Sequence, residues 1–434
     1  MSQGKVLGAA CGIKINGIIE EYTVASGGNV SAGDFVKFVN EYGTDTQLDT
    51  GKIKSAVLLN ENKVFIAYGK GNNILLYGIV CTISGTTITI GTETQLSTDS
   101  YSGSTVSAVV LNENKVFIAH RANNYLNAII CEINETIITT GTDTQISTDN
   151  YSGYIISAVK LNESKVFIAH SRTSNYNLNA IICTLSGTTI TVGTDTQLST
   201  NNYTGYTISV VALNESKVFI AHSNSSYYNL YGTVCTIEET TITAGTLTQL
   251  STGNYTGKTI SAITLNENKV FIAHSSLASG SGTYYDLYAI ICTINNTTIT
   301  AGTDTQLSNN KYSGDFISTI KLTENRIFIA HSYNSNKLLY GIVCRLSGAI
   351  ISTEIDDTLI SNILGSDANA TVVRLNNDKA FIAHSGTDAE SSTTYRMYGI
   401  ILKTKIMKSA IDIGGIAKTS ATMGNNAKIY EPNY

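Results

Sequence analysis

Six histidines recur at one position of a repeated motif, and imidazole is the side chain most often used for metal binding and for acid–base chemistry. Each follows the run Phe-Ile-Ala, and in the first copy of the motif the position holds Tyr68 instead. The histidines are His120, His170, His222, His274, His331 and His384. The pattern raises the question of a ring of histidines around a shared metal ion.

Geometry argues against that metal ring. Zinc ligands must lie within about 2.0 to 2.1 Å of one ion, whereas equivalent atoms of neighbouring packed sheets are about 10 Å apart. The replacement of one histidine by Tyr68 also indicates a hydrogen-bonding or packing role at the end of a strand. We therefore interpret the six histidines as structural positions of the repeat, and we expect neither a metal nor another cofactor.

Six of the seven cysteines recur in the same way, inside apolar runs such as Ile-Val-Cys and Ile-Ile-Cys. They are Cys81, Cys131, Cys183, Cys235, Cys292 and Cys344. A disulfide needs Cα atoms within roughly 7 Å, which equivalent positions on packed sheets do not reach. The sequence predicts buried free thiols that act as small apolar side chains.

Histidines and cysteines belong to a unit of about 52 residues that is used seven times. The phenylalanine of its central motif stands at Phe65, Phe117, Phe167, Phe219, Phe271, Phe328 and Phe381. Residues shared by all copies are first expected to hold the repeat together. Function is to be sought where the copies differ.

Each unit contains four runs rich in Val, Ile, Thr and aromatic residues, separated by turn residues. In the third copy they span residues 155–161, 165–171, 178–185 and 188–198. Such runs are typical of β-strands, and four-stranded units repeated seven times predict an all-β, seven-bladed β-propeller. The last copy lacks its fourth strand, whose motif Gly-Thr-Asp-Thr-Gln-Leu occurs at 43–48. We expect residues 35–48 to close blade 7, so that the propeller spans 35–402.

The connections between strands divide into two faces. Turns after the first and third strands are nearly invariant and form what we name the uniform face. Loops after the second strand vary, since His120 to Cys131 is 11 residues, whereas His274 to Cys292 is 18. These loops and the fourth-to-first connections form the variable face, which the sequence marks as the place where the copies diverge.

Tyrosines beside short polar residues are concentrated on the variable face. Tyrosine gives contact area at low entropic cost, while Asn and Ser hydrogen-bond, so the mixture predicts an adaptable recognition surface that suits sugars. The candidate ligand-binding residues are Tyr125, Tyr176, Tyr227, Tyr228, Tyr284, Tyr285, Asp286, Tyr333, Tyr395 and Arg396.

A second set of tyrosines, each followed by Ser/Thr-Gly, lies in the fourth-to-first connections. They are Tyr101, Tyr151, Tyr203, Tyr255 and Tyr312. Two interpretations stay open for this set: the rings bind a ligand, or they cap the grooves between blades.

The two ends of the chain are predicted to meet. If residues 35–48 enter blade 7 as its outer strand and the chain leaves after a third strand, both ends emerge on the uniform face. Residues 1–34 and 403–434 contain short β-like runs. We expect them to form one small β module that attaches the propeller to a larger assembly.

Composition and the scatter of reactive residues exclude several classes of function. Charged residues are 14% of the chain and the net charge is −5, which disfavours nucleic acid as a partner. No apolar run approaches the roughly 20 residues that span a bilayer, and the start lacks a secretory signal. Glycoside hydrolysis needs paired carboxylates about 5 to 10 Å apart, and the sequence places no two together. We expect a protein without enzymatic activity, without membrane insertion, and made in the cytoplasm.

The repeat Ser-Ala-Val-x-Leu-Asn-Glu-Ser-Lys-Val-Phe-Ile-Ala-His-Ser, followed by Tyr-Gly-Ile-Val-Cys-Thr-Ile-Ser-Gly-Thr-Thr-Ile-Thr, resembles propeller repeats of phage and prophage structural proteins from low-GC Gram-positive bacteria. Segments 25–34 and 415–420 are similar to pieces of such virion proteins. The resemblance implies a tail fibre, baseplate part or capsid decoration, assembled in the bacterial cytoplasm and located in the virion. It carries no catalytic residues.

From the resemblance and the variable face together, the sequence predicts a tail fibre or receptor-binding component that recognises host surface polysaccharide. Its partners would be other virion proteins, bound through the terminal module, with several copies per particle. The alternative is a capsid or tail decoration protein with a structural role and no specific ligand.

Overall fold

The fold is taken from a computed structural model of the chain, which describes most of the propeller. The described residues are 17–24, 29, 31, 35–148, 152–172, 177–198, 207–223, 229–252, 259–277, 285–307, 316–332, 338–361, 370–388, 391–408, 415–417 and 426–432. They contain strands and turns but no helix, and therefore no helix long and apolar enough to cross a membrane. The strands group into seven sheets.

Each of the first six blades is an antiparallel sheet in which the four strands follow in chain order, whereas the sheet of blade 7 takes its outer strands from the N-terminal segment and includes one parallel pairing. First strands are Lys52–Asn60, Val106–Asn112, Ser152–Asn162, Ile208–Asn214, Ile260–Asn266, Ile317–Thr323 and Ala370–Arg374. Second strands are Lys63–Lys70, Lys115–Ala122, Lys165–Arg172, Lys217–Ser223, Lys269–Leu277, Arg326–Ser332 and Lys379–Asp388. Third strands are Leu75–Ser84, Tyr125–Asn134, Leu178–Ser186, Leu230–Glu238, Tyr285–Asn295, Leu339–Ser347 and Ser391–Lys408.

The fourth strands form the outer edges of the blades, usually in two pieces. The longer pieces are Thr87–Ile90, Ile137–Thr140, Thr189–Val192, Thr241–Ala244 and Thr298–Ala301. The short second pieces are Thr94–Gln95, Thr144–Gln145, Thr196–Gln197, Thr248–Gln249 and Thr305–Gln306. In blade 6 the edge is one uninterrupted strand, Ile350–Ser361.

The core lies between the blades. In the second strands the central run is buried on both sides, as with Val64, Phe65 and Ile66, because each sheet is covered by a neighbour on either face. The six repeat cysteines are buried free thiols, as predicted, and burial raises the pKa of each, with that of Cys131 raised to about 12.

The first strands line the axis and contact one another in a closed ring. On six of the seven first strands a serine joins the strand to the next: Ser55 Oγ accepts a hydrogen bond from the N–H of Ala108 at 3.1 Å, and Ser107 Oγ accepts one from Ala158 at 3.0 Å. The same bond links Ser157 to Val210, Ser209 to Ala262, Ser261 to Thr319, and Ser318 to Val372. The molecule is a seven-bladed β-propeller.

The N-terminal segment closes blade 7, as predicted. Phe35–Tyr42 runs antiparallel to the third strand of that blade, with Tyr42 opposite Leu402. Thr46–Thr50 then continues the edge, with Thr46 opposite Gly399. The two ends of the propeller are therefore joined by backbone hydrogen bonds, and the outer edge of blade 7 is paired.

Both termini form the predicted β module. Gly17–Val24 pairs antiparallel with Asn426–Pro432, which also pairs with Gly415–Ala417. Thr23 and Val24 pair in parallel with the far end of Ser391–Lys408. This strand runs through the predicted boundary at 402/403, so blade 7 and the module share one sheet. The division into domains stays a prediction.

Candidate functional site

Four of the six repeat histidines each meet an aspartate of the same blade. In blade 2, Nε2 of His120 lies 3.1 Å from Oδ1 of Asp143. Because a carboxylate only accepts, this nitrogen carries the hydrogen. The same contact measures 3.2 Å for His170 and Asp195, 2.9 Å for His274 and Asp304, and 2.7 Å for His384 and Asp45.

A serine from the preceding blade completes the arrangement. Ser97 Oγ, in the connection that leaves blade 1, donates to Oδ2 of Asp143 at 2.8 Å. Equivalent bonds join Ser147 to Asp195 at 3.2 Å, Ser251 to Asp304 at 2.6 Å, and Ser361 to Asp45 at 2.7 Å. We name this Ser–Asp–His set a seam clamp, because it links two blades through one carboxylate.

The order of residues in the clamp determines its chemistry. In a hydrolase triad the histidine stands between serine and aspartate and accepts the serine proton. Here the aspartate stands in the middle, so the histidine does not activate the serine. Burial would raise the pKa of Asp143, but hydrogen bonds from His120, Asn127 and Ser97 outweigh it and lower that pKa. The clamp is a stable charged hydrogen-bond network, which agrees with the structural interpretation of the histidines.

Blade 1 replaces the whole clamp. Tyr68 takes the place of histidine and donates to Glu93 at 2.6 Å and to Asp49 at 3.0 Å. Lys70 lies between the two carboxylates, 3.2 Å from Asp49 and in direct contact with Glu93. Serine, aspartate and histidine are thus exchanged together for Asp49, Glu93 and Tyr68. This seam joins blade 7 to blade 1, where the ring closes.

Blade 4 keeps its histidine but has Leu247 at the aspartate position. His222 is fully buried, and this burial lowers its pKa to about 4, with a hydrogen bond to the backbone of Ser223 acting in the opposite direction. The ring of His222 stacks on Tyr231, with centroids 6.1 Å apart. The fold therefore accommodates a buried and stacked histidine in a blade that has no aspartate at this position.

The pairing of the histidines with the aspartates was not among the predictions from the sequence. A signal was present, because Tyr68 and Glu93 depart from the repeat in the same copy. The aspartate of blade 6 is Asp357, whose side chain lies outside the described residues. Among the described residues, no three His, Cys, Asp or Glu side chains come close enough together to hold a metal ion.

Besides Tyr125, the structure places four of the predicted ligand-binding residues near the beginnings of third strands. Tyr285 is half-buried, and beside it Asp286 is buried and accepts a hydrogen bond from Gln306 at 3.3 Å. In blade 7, the ring of Tyr395 lies 3.8 Å below Nζ of Lys52, and Arg396 donates to Gln47 at 2.9 Å. These four residues make contacts within the propeller and lie on two different blades.

Several predicted residues fall on loops outside the described residues. They are Tyr176, Tyr227, Tyr228, Tyr284 and Tyr333 from the second-to-third loops, and Tyr151, Tyr203, Tyr255 and Tyr312 from the fourth-to-first connections. Their roles in binding or in capping stay predictions.

Tyr101 shows how the Tyr-Ser-Gly motif is built. Tyr101 is 55% exposed, while the next residue, Ser102, is fully buried and accepts a hydrogen bond from the N–H of Leu76 at 2.9 Å. A Cβ on Gly103 would lie 2.6 Å from the Cα of Gly69, so only glycine fits there. Serine and glycine anchor the motif, and the tyrosine itself is presented to solvent.

Tyr101 belongs to a surface that we name the blade 1–2 patch, formed by Tyr101, Arg121, Asn123, Asn124 and Tyr125. The N–H of Asn123 donates to the carbonyl of Ser100 at 3.2 Å, and Arg121 donates to the Asn124 side chain at 2.6 Å. Both asparagines are exposed, and Tyr125 is half-buried. Tyr101, Asn123 and Asn124 have φ values of 63°, 47° and 78°, which non-glycine residues rarely adopt. At Asn123 and Asn124, which form the two-residue turn between the paired residues Ala122 and Tyr125, positive φ is the ordinary geometry of a β-hairpin.

A cavity of about 420 Å³ opens beside the patch, at the outer edge of the seam between blades 1 and 2. One wall is the connection that contains Gln95, Thr98 and Asp99, and the other contains Thr140 and Asp143. Two members of the seam clamp, Ser97 and Asp143, line this cavity, and Asp143 is held there by Ser97 and His120.

Known proteins match this chain in fold only. A candidate 6-phosphogluconolactonase of Bacteroides uniformis has a TM-score of 0.52 at 8% identity, covering 81% of this chain and 95% of that one. A hypothetical selenium-binding protein of Sulfolobus tokodaii has a TM-score of 0.51 at 7% identity, covering 86% and 95%. A scan of protein-family models and a search of curated proteins found no match. Identities this low establish the propeller architecture and nothing beyond it.

Proposed function

We propose that this propeller is a recognition protein whose variable face binds a polysaccharide of a bacterial cell surface. The observation that carries the proposal is the blade 1–2 patch. There an exposed tyrosine, an arginine and two exposed asparagines are held in a fixed arrangement by buried anchors. A preorganised surface of aromatic and amide groups loses little conformational entropy on binding and matches both the apolar face and the hydroxyl groups of a sugar.

The biological setting that we propose is a phage particle, as a tail fibre or receptor-binding component. This part rests on the sequence resemblance to phage structural repeats. The terminal β module supports it by giving an attachment point. The third strand of blade 7 ends at Lys408, beyond the propeller, where it pairs with the N-terminal strand. The module would bind other virion proteins and leave the variable face free to meet the host.

We propose binding without catalysis. Some structures that share the fold are named as enzymes, including the candidate 6-phosphogluconolactonase, so the architecture itself is compatible with activity. The residue types of a hydrolase triad do come together in this chain, but the central aspartate leaves the serine unactivated. Incubation of the protein with the polysaccharide that it binds should release no new reducing ends. Release that depends on Asp143 would contradict this part.

Weak single sites are sufficient for such a protein. Several copies on one particle would bind a repetitive polymer together, and linked sites increase the overall affinity through effective concentration by about 10² to 10⁴-fold. We therefore expect modest affinity from the isolated chain and much stronger binding from a multivalent display of it.

The test is binding of the protein, displayed on beads, to a panel of Gram-positive wall polysaccharides and to intact cells. Tyr101→Ala should reduce retention at least tenfold, because it removes the exposed ring of the patch. Ile137→Ala is the matched control, because Ile137 is a similarly exposed apolar residue, 62% exposed, on the uniform face. Equal binding by Tyr101→Ala and the control would overturn the assignment of the patch, and no binding by the parent protein would overturn glycan recognition.

The second candidate is a decoration protein that stabilises the particle and binds no specific ligand. The pairing of both termini in one module favours it, because this is the feature expected of a docking device. Particles that lack the protein would then infect normally but lose infectivity faster on heating. Particles that fail at the first step of adsorption would favour the receptor-binding function instead.

A further inference from the structure

We propose that the cavity between blades 1 and 2 is a subsite for one neutral sugar unit, with Asp99 and Asp143 as the groups that accept its hydroxyl hydrogens. This inference rests on the proposed glycan recognition and assigns it a particular pocket. The volume of about 420 Å³ lies in the range of small-ligand sites.

The chemistry of the walls selects hydroxyl groups. Asp143 is fixed on three sides, by His120 at 3.1 Å, Asn127 at 3.0 Å and Ser97 at 2.8 Å. The Asp143 side chain is 24% exposed. After these three bonds its carboxylate still has a lone pair that can accept a further hydrogen bond. Because the carboxylate is already oriented, little conformational entropy is lost when a ligand hydroxyl donates a hydrogen bond to it. Thr98, Thr140 and Gln95 add donors and acceptors around it.

The charge of the cavity excludes anionic sugars and phosphates. Two carboxylates and no lysine or arginine line it. Placing a ligand anion beside Asp143 would add like-charge repulsion in a partly dry site, where Coulomb interactions are stronger than in water. A neutral hexose or N-acetylhexosamine unit fits this chemistry, whereas the phosphate of a teichoic acid does not.

The seam between blades 1 and 2 is set apart from its relatives by sequence. Thr140 is replaced by Val192, Ala244 and Ala301 at the same position of blades 3, 4 and 5. The position of Asp99 holds Asn201 and Gly253 in the third and fourth connections, while the second connection keeps an aspartate, Asp149, but the blade that follows it has Val192 instead of a threonine. The full set of polar groups therefore occurs at one seam, and we expect one sugar per chain at this type of site.

The cavity and the blade 1–2 patch are continuous along the chain. Asp99 precedes Tyr101 by two residues, and its backbone N–H donates to Ser97 Oγ at 3.2 Å, so the clamp also fixes the connection that carries the tyrosine. One sugar unit in the cavity would place the next unit of a chain toward the exposed ring. The cavity would then select the unit, and the patch would bind its neighbours.

The experiment is titration of the purified full chain with methyl glycosides of glucose, galactose, N-acetylglucosamine and N-acetylgalactosamine, followed by NMR or calorimetry. We expect saturable binding of at least one of them with one site per chain. Thr140→Val and Asp99→Asn, which reproduce the side chains of other copies, should each weaken it at least tenfold. The matched control is Thr191→Val on the exposed edge of blade 3, which should leave binding within twofold.

Further measurements distinguish failure of the sugar subsite from failure of the proposed function. Binding of none of the four glycosides, or equal weakening by Thr140→Val and Thr191→Val, would overturn the subsite. Binding of inorganic phosphate or of Ca²⁺ alone that Asp99→Asn abolishes would overturn it in favour of an ion site. If polysaccharide binding persists and depends on Tyr101 while the glycosides fail, the inference is wrong and the proposed function stands. If glycosides bind but no polysaccharide or cell does, the proposed function is wrong and the subsite stands.

Discussion

Blades 4 and 5 have nearly the same second and third strands and differ at the partner of their histidine. In both, the histidine is fully buried and stacks on a tyrosine at about the same geometry, 6.1 Å for His222 and 6.0 Å for His274. In blade 5 the ring also meets Asp304 at 2.9 Å, and Ser251 donates to the same carboxylate at 2.6 Å. In blade 4 the equivalent residue is Leu247.

We infer from this difference that the seam clamp adds stability to a seam and is not required to form it. Apolar packing between blades and the aromatic stack are present in both. The clamp introduces a charged network whose strength depends on pH, and a seam without it leaves a neutral buried imidazole. Stability is therefore adjusted at the seams, whereas recognition on our account lies on the variable face.

The largest expected effect comes from converting blade 5 into blade 4. Asp304→Leu removes the acceptor of both Ser251 and His274, and hydrogen bonds to a charged group are worth about 1.5 to 3 kcal/mol each. We expect a loss of about 3 kcal/mol in the free energy of unfolding, measured in urea at pH 7. Glu163→Leu, at a side chain 75% exposed, is the control and should change it by less than about 0.5 kcal/mol. Equal effects would show that the clamp contributes nothing.

The next effect is a pH dependence that originates in blade 4. His222 has a folded-state pKa of about 4, below its ordinary value of 6.5. Between these values the unfolded chain binds the proton and the folded chain does not, so stability falls as pH falls from about 6.5 to about 4. The shift corresponds to roughly 3 kcal/mol at most. Unfolding curves of the parent and of His222→Gln at pH 7 and pH 5 measure it. A parent and variant with the same loss would contradict this origin.

A smaller effect is expected from giving blade 4 the missing carboxylate. Leu247→Asp should allow His222 to be protonated in the folded state, as an adjacent anion favours the charged ring. The loss of stability between pH 7 and pH 5 should shrink by about 1 to 2 kcal/mol. Leu247→Asn is the matched control, because it is equally polar and uncharged. If Leu247→Asp and Leu247→Asn reduce the loss of stability between pH 7 and pH 5 equally, the negative charge of the aspartate is not the cause.

At lower pH the clamps themselves should fail. Hydrogen bonds from His274 and Ser251 outweigh burial and lower the pKa of Asp304 below its usual 3.8, and the pKa of Asp143 is lowered in the same way. Their contribution is complete above pH 3.8 and is lost as pH falls through the lowered values. Unfolding below pH 4 should be less steep in Asp304→Asn than in the parent protein. An unchanged slope would argue against this role.

The smallest expected effect on stability belongs to the recognition surface. Tyr101→Ala removes an exposed ring whose anchors, Ser102 and Gly103, remain, so the free energy of unfolding should change by less than about 0.5 kcal/mol. Ser102→Ala, which leaves the N–H of Leu76 without its acceptor, should cost about 1 to 3 kcal/mol. Reversed results in thermal unfolding would mean that Tyr101 caps the groove instead of facing ligand.

The architecture could be predicted from the sequence because the same pattern of strands and turns occurs in seven copies. Strand order, the burial of the cysteines and the closure of blade 7 by residues 35–48 follow from period and pattern alone. The continuous outer strand of blade 6 could not be predicted in this way. The sequence of Ile350–Ser361 resembles the other outer strands, and it differs in lacking the glycine at which those strands are interrupted.

The site was harder to predict, because it depends on contacts between distant positions of one copy and between neighbouring copies. Histidine and aspartate lie 23 residues apart in blade 2, and Ser97 belongs to another blade. Composition and periodicity describe one unit at a time and contain no information on such pairs. Two roles stayed open for Tyr101, ligand binding and capping of a groove between blades. The sequence could not decide between them, because the exposure of Tyr101 depends on how Ser102 and Gly103 pack.

Hydrogen–deuterium exchange of the full chain, with and without a bound wall polysaccharide, distinguishes recognition at the blade 1–2 patch from binding elsewhere on the molecule. We expect slower exchange in residues 97–105 and 121–125, which include the blade 1–2 patch and one wall of its cavity. We expect no change in the equivalent segments of blade 4 or in the terminal strands. Protection confined to the terminal strands or to the uniform face, with the patch unchanged, would contradict recognition at the patch.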